Sequence, residues 1–239
     1  MTAKNNISNA DQFLNIFHDV EHYLKNKYNN GYYESFVRLV REASKVEHVF
    51  RRYKDDLMTY ADLRNAIVHN KRYNGVAIAE PHDEVLIHFQ KIWKEISLPL
   101  KASHFNRQVY YCKFDDPLKK ALDLMHKHMI SQIPILNYGK LVDVLNGNCI
   151  AHWLASEHNP NIDETPIQTV LDSAEYSGNY DLISESTSVY EAADIYRKSF
   201  KQPPVNWYYD ALIITKHGLA AEKMTGIIVL ADIAEYLHE

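Results

Sequence analysis

Cysteine and glycine are both scarce in this chain. Only Cys112 and Cys149 occur among 239 residues, too few for a disulfide framework or a cysteine zinc site, so a reducing compartment is expected. Glycine totals 7, and no Gly-x-Gly-x-x-Gly, phosphate-binding loop or Gly-x-Ser-x-Gly occurs. The usual nucleotide-cofactor and serine-hydrolase chemistries are therefore unsupported. Apolar runs of roughly eighteen residues, which a membrane span needs, are also missing. Met1-Thr2-Ala3-Lys4-Asn5-Asn6 opens polar, without the apolar stretch of a signal peptide. These absences together predict a cytoplasmic protein with no membrane contact.

What is present suffices for real cores. The chain is 46% hydrophobic at 27.8 kDa, enough for two ordinary domains. Its net charge of −5 is uneven: residues 1–100 carry 14 Lys and Arg against 13 Asp and Glu, and the remainder 12 against 18. The first part is the better candidate for a polyanion partner, although nucleic-acid binders are usually distinctly basic.

From about Ala10 to Ser97 apolar residues recur at three- and four-residue spacing. Phe13, Leu14, Phe17, Val20 and Leu24 form one stripe, and Phe36, Leu39, Val40, Ala43 and Val46 a second, separated by a turn at Asn29-Asn30-Gly31. A third helix is expected from about Asp55 to His69, stopped by Asn70 to Gly75, and a fourth from about Pro81 to Ile96. The pattern predicts an antiparallel four-helix bundle.

After Ser97-Leu98-Pro99-Leu100-Lys101 the texture changes, and one pattern occurs twice. Leu118 answers Val189, Ala121 answers Ala192, Asp123 answers Asp194, and Leu124 answers Ile195. The first copy predicts a strand at Val109–Cys112, a helix over 117–128, strands at 133–136 and 141–145 around a Tyr138-Gly139 turn, and a helix near 148–156. A linker at His158 to Asn161 and a short helix near Ile167–Leu171 follow. The second copy predicts a helix over 189–199, strands at 211–215 and 226–229, and a last helix to Leu237.

Asp116-Pro117-Leu118, Ala121-Leu122-Asp123-Leu124-Met125, Ile130-Ser131-Gln132-Ile133-Pro134-Ile135-Leu136 and Gly139-Lys140-Leu141-Val142 together resemble a CBS domain. The second copy resembles it more loosely, and the two look like a tandem pair. The resemblance implies a pseudo-twofold module whose clefts hold adenosyl ligands such as AMP, adenosine or S-adenosylmethionine, with no cofactor required. The family pattern of glycine, a hydroxyl residue three positions on and aspartate three later falls on Gly226, Val229 and Asp232, where valine has lost the hydroxyl. In the first copy Asp143, Asn146 and Cys149 occupy those places. The resemblance thus implies Gly226, Val229, Asp232, Ile133 and Pro134 as ligand residues, Asp232 for a ribose diol. An acid just inside a helix start also stabilises that helix without any ligand.

Arg64-Asn65-Ala66-Ile67-Val68-His69 is the second constellation. Arg64 falls inside the apolar arc of Leu57, Tyr60, Ala61, Leu63, Ile67 and Val68, and Asn65 and His69 share its polar edge. The segment looks like the signature of the HEPN family of helical bundles. That resemblance implies two chains facing each other and metal-independent RNA cleavage, with Arg64 and His69 catalytic and Asn65 orienting the histidine. Basic residues at a helix C-terminus have a plain electrostatic reading as well. Arg38, Arg41, Lys45 and Arg52 form a partial basic stripe, read as phosphate-tracking or as a solvated face. His18 and His22 have metal-ligand spacing without a third ligand, and no metal site is expected.

The expected fold class is α+β. It comprises a HEPN-like helical bundle over residues 1–100, a first CBS-like motif over 101–158 and a second over 159–239, the motifs being a pseudo-twofold pair of βαββα units. The expected function is a regulatory module that binds an adenosine-containing metabolite and modulates the helical domain, assembled as a homodimer. The alternatives are a regulated ribonuclease acting on RNA and a non-catalytic dimerisation scaffold.

Overall fold

The structure is a computed structural model that describes residues 7–28, 34–69, 79–173, 178–200 and 208–237. It divides into two compact units, one ending at Leu100 and the other spanning Lys101–Leu237. The Asn29-Asn30-Gly31 turn, the stop at Asn70 to Gly75 and Trp207 lie outside the described residues.

The first unit is helical: α1 (Asn9–Tyr28), α2 (Phe36–Val46), α3 (His48–Arg52), α4 (Lys54–His69) and α5 (Asp83–Ser97). Its core is aromatic. Phe13 packs its ring 5.1 Å from Phe89, Tyr60 sits 4.5 Å from Phe89, and Phe17 sits 4.3 Å from Phe36, offset and tilted arrangements that aromatic quadrupoles favour. Three expectations need correction. Val46 is 68% exposed, because Glu47 takes an extended conformation (φ −114°, ψ 128°) and ends α2. The chain then makes the additional short helix α3, burying His48, Val49 and Phe50. Val68 is also exposed, and the buried face of α4 narrows to Leu57, Tyr60, Ala61 and Ile67.

The second unit contains two three-stranded sheets of identical topology. In the first, β1 (Cys112–Lys113) pairs parallel with β2 (Gln132–Asn137), which pairs antiparallel with β3 (Lys140–Asn146). In the second, β4 (Tyr180–Ser184) pairs parallel with β5 (Ala211–Thr215), which pairs antiparallel with β6 (Met224–Ile228). Each central strand shifts register at the corresponding place, between Ile135 and Leu136 and between Ile214 and Thr215. The helices of the repeat are α6 (Leu118–His128) and α9 (Val189–Ser199), and Leu118, Ala121, Val189 and Ala192 are fully buried. Two of the four matched pairs therefore pack in the core, whereas Asp123 is exposed.

Helices α7 (Gly147–Ser156) and α8 (Ile167–Asp172) complete the first copy's core, where Ile167, Val170 and Leu171 join Cys112, Leu118 and Trp153. The segment before β1 does the reverse. A 3₁₀ turn at Ala102–Phe105 donates Ala102 N–H to Thr187 and Ser103 N–H to Glu185, both in the second copy. Each entry segment thus packs on the opposite copy.

The structure corrects other expectations here. Val109 to Tyr111 are not strand, since β1 begins at Cys112; β4 is the second copy's first strand, for which the sequence pattern marks no residues, and β6 runs from Met224 to Ile228 instead of from Gly226 to Val229. The last element, Leu230–Tyr236, is 3₁₀ rather than α, with a kink at Ile233 (φ −124°, ψ 15°). Among the described residues no helix is long and apolar enough to cross a membrane.

Candidate functional site

Where the first copy's entry segment meets the second copy's β6, the Lys101–Leu237 unit encloses a cavity of about 390 Å³. Arg107 to Tyr110 form one wall, and the end of α6 with Ser131, Gln132 and Pro134 forms another. Ile227 and Val229 close it from the second copy. Its volume sits near the lower end of the ~300–1,000 Å³ typical of small-molecule sites. Tyr110 and His128 stack at the wall with ring centroids 3.7 Å apart and planes 17° from parallel.

Local backbone chemistry shapes this cavity. Pro134 has no N–H to give a neighbouring strand, and β1 reaches only Ile135 and Leu136, so the proline lies beyond its partner's end. The α6 helix ends at Met129 in the left-handed region (φ 53°, ψ 44°), a conformation usually filled by glycine or asparagine. That turn leaves Met129 88% exposed on the cavity rim.

The expected ligand residues divide in space. Pro134 and Val229 line the cavity, whereas Ile133, one position along β2, points into the first copy's core and is fully buried. Gly226 faces the entry segment: a Cβ there would lie 2.6 Å from the Phe105 carbonyl oxygen. Glycine at this position lets residue 106 bridge to β6. The Asp232 carboxylate accepts from Arg107, at 2.7 Å between Oδ2 and Nη2 and 3.5 Å between Oδ1 and Nη1, and its Oδ2 also accepts the Val229 N–H at 2.9 Å. Arg107 Nη2 also donates to the Ile227 carbonyl at 2.7 Å. Sequence reasoning missed Arg107, Tyr110 and His128. A usable signal existed, since Arg107 is the only Lys or Arg between Lys101 and Lys113.

In the first copy the corresponding residues bond within the protein. Asn146 caps α7 by accepting Cys149 N–H at 2.8 Å, and its amide donates to Asp210. Asn179 donates to the same Asp210 oxygen. Asp143 accepts from Val144 N–H at 2.8 Å and Gly178 N–H at 3.3 Å. Burial pushes both carboxyls above the ordinary aspartate range, and it raises the Cys149 thiol too. A second, larger cavity of about 880 Å³ lies nearer the strand turns, with Leu136, Leu141, Leu182 and Met224 in its walls.

With this geometry in view, comparison with known proteins is informative. The model of the CBS domain family matches residues 102–155. The first copy is of the CBS type. The second repeats its strand order, pairing and register shift. No curated protein matches the chain. Among solved structures, the CBS domain pair of protein MJ0100, in complex with 5′-methylthioadenosine and S-adenosyl-L-methionine, is 17% identical with a TM-score of 0.42, covering 57% of this chain and 94% of that one. CBSX2 in complex with AMP is 14% identical with a TM-score of 0.39, covering 57% and 94%. A CBS domain-containing protein of unknown function from Kribbella flavida is 12% identical with a TM-score of 0.43, covering 57% and 97%.

In the helical unit, Arg64 lies against the core with its guanidinium carbon 6.0 Å from the Phe17 ring centroid. Its Nη1 is 3.3 Å from Asn65 Oδ1 and 3.5 Å from His69 Nε2, and Asn65 and His69 are both exposed. The structure therefore brings the three polar residues together at the end of α4. Arg38, Arg41 and Lys45 are exposed, with Arg38 paired to Glu34 at 3.5 Å and Lys45 to Glu42 at 2.8 Å. His18 and His22 stack 6.3 Å apart. Among the described residues no group of three or more His, Cys, Asp or Glu could hold a metal ion. Tyr208 lies with its ring 5.8 Å from Phe200.

Proposed function

We infer that the CBS-type module is a regulatory element that binds an adenosine-containing metabolite in the 390 Å³ cavity and passes occupancy on to the helical unit. The observation that carries this reading is the cavity itself. It combines a stacked aromatic wall, apolar contacts from Val109, Ile130, Ile227 and Val229, and a fixed arginine. Apolar walls with a few placed polar groups are what a flat base joined to a polar sugar requires. Regulation follows only if the ligand prefers one arrangement of the protein, because a ligand with equal affinity for both shifts neither.

Thermal denaturation with AMP, adenosine and S-adenosylmethionine tests binding directly. A ligand that binds only the folded state must raise the melting temperature in proportion to its occupancy. The expected result is a concentration-dependent rise for at least one of the three. A panel without any shift overturns this reading in favour of a dimerisation scaffold.

The meeting of Arg64 with Asn65 and His69 supports a second reading, metal-independent RNA cleavage. The histidine would move the proton at the 2′-OH or leaving oxygen, and the arginine would neutralise charge on the phosphorane. Purified protein incubated with single-stranded and structured RNA in EDTA, alongside His69→Ala, decides it. Light scattering on the same sample reports whether two chains pair to bring both sets together. No cleavage, or cleavage unchanged in the variant, removes the nuclease.

A further inference from the structure

The larger cavity, of about 880 Å³, takes part of its wall from a hairpin connection that the first copy lacks. β2 and β3 join through Tyr138 and Gly139 alone, whereas β5 and β6 join through Lys216–Lys223. Ala220, Ala221, Glu222 and Lys223 of the longer connection line the cavity. Polar bonds hold that connection in place. The buried Thr215 hydroxyl accepts the N–H groups of Gly218 and Leu219, both at 2.9 Å. Glu222 accepts the His217 N–H at 2.7 Å and faces the His217 Nδ1 at 2.6 Å. Beneath it, half-buried Leu136, Leu182 and Met224 form an apolar floor that packs on the core around Leu141 and Ile213. The two cavities share Arg107, Gln108 and Val109 and no other lining residue.

We propose that the larger cavity is a second ligand site, separate from the adenosyl one, and takes an organic acid whose apolar body lies on the leucine and methionine floor with its carboxylate at Lys223. The donors and acceptors on the rim carry the choice of head group. Its acceptors are already used by the protein: Asp232 by Arg107 at 2.7 Å, Glu222 by His217, and the Thr215 hydroxyl by two N–H groups. The His217 ring and backbone N–H, with the Thr215 hydroxyl, hold the Glu222 carboxyl well below the usual glutamate range, so it stays an occupied acceptor. Lys223 is exposed and has no carboxylate partner among the described residues, and it donates without accepting. With Arg107 matched by Asp232 and Lys223 offset by the charge of Glu222, the rim is close to neutral. The preference for a carboxylate therefore comes from direct contact with the ammonium, not from a long-range field. Beyond residue 100 the chain carries 12 Lys and Arg against 18 Asp and Glu, which disfavours a multiply charged anion. The apolar floor supplies the rest of the affinity, in proportion to the hydrocarbon it covers.

Isothermal titration of the full chain at pH 7 with octanoate, octanol and octylamine, three probes with one hydrocarbon body and different heads, tests this. Octanoate is expected to bind about two- to fivefold more tightly than octanol, the range for an exposed ion pair, and octylamine most weakly. Lys223→Gln removes the advantage of octanoate over octanol, Lys223→Arg keeps it, and Lys223→Glu places octylamine ahead of octanoate. Ala221→Phe, an exposed substitution that fills the cavity, abolishes octanoate binding while the melting temperature stays at the wild-type value. The octanoate isotherm is the same with excess AMP present. No binding of octanoate, equal affinity for octanoate and octanol, or full octanoate binding by Ala221→Phe overturns the proposal. Displacement of octanoate by AMP overturns it as well, because the two sites would then be one.

Discussion

Asn146 ties the two copies of the repeat together: its side-chain oxygen caps α7 in the first copy while its amide donates to the half-buried Asp210 of the second. One side chain thus serves a helix start in one copy and a carboxylate in the other.

Asn146→Ala removes the cap and one of two amide donors to Asp210 at once. The cap alone is worth about 1 kcal/mol, and leaving a half-buried carboxylate short of a donor costs about 1–3 kcal/mol. Equilibrium urea denaturation should show a loss of ~2–3 kcal/mol. A double-mutant cycle with Asp210→Ala should return a coupling of about 0.5–3 kcal/mol, since residues in one hydrogen-bond network are not additive.

Asp143 gives a pH-dependent prediction. Burial holds its proton more tightly in the folded chain than in the unfolded one, so the unfolded state releases that proton first as pH rises. Stability therefore falls from the ordinary aspartate pKa of about 3.9 up to the raised folded value, then stays level. Asp210, which faces the same cluster and is raised in the same direction, adds to the slope. Asp143→Asn keeps an acceptor oxygen for Val144 and Gly178 but carries no charge. Its melting temperature should exceed the wild type's at pH 7, and the difference should shrink towards zero below about pH 4. A variant equally destabilised at both pH values would show that the charge is not what burial penalises.

Much of the fold was legible because the repeat carried its own control. Leu118 with Val189 and Ala121 with Ala192 mark the same buried helix face in two places, and the Tyr138-Gly139 turn fixes the hairpin between β2 and β3. The backbone confirms that turn, with positive φ at both residues. What the sequence obscured depends on contacts distant along the chain. β4 exists because β5 lies beside it, and α8 completes the first copy's core although it follows that copy in order. Asp232 could be recognised by spacing, but its partner Arg107 lies 125 residues away, and no local pattern joins the two. Gly226 reads as a ligand residue, and its close approach to the Phe105 carbonyl was not legible.

Met129 holds a left-handed conformation with its side chain in solvent. A non-glycine residue there costs roughly 1–2 kcal/mol of backbone strain, part of which glycine recovers before its own greater loss of chain entropy. Met129→Gly is expected to raise stability by ~0.5–1 kcal/mol in urea denaturation. Because Met129 also forms the cavity rim, the same variant should change ligand affinity. A gain in stability with affinity unaltered would place the rim outside the binding surface.

Gly226→Ala tests the crossing of the entry segment over the second copy. The added methyl would meet the Phe105 oxygen at 2.6 Å and the Ile214 side chain at 2.9 Å, and the first of these is backbone, which cannot turn aside as a side chain does. Relief requires residues 105 and 106 to lift from β6, straining the Arg107 N–H bond to the Thr225 oxygen at 3.0 Å. A loss of about 1–3 kcal/mol is expected, the usual range for overpacking. Arg107 follows directly on that segment, so the shift should also disturb its pairing with Asp232. The variant should therefore bind adenosyl ligands more weakly even at temperatures where it remains folded. Unchanged affinity in a destabilised but folded variant would show that Arg107 is positioned independently of the β6 contact.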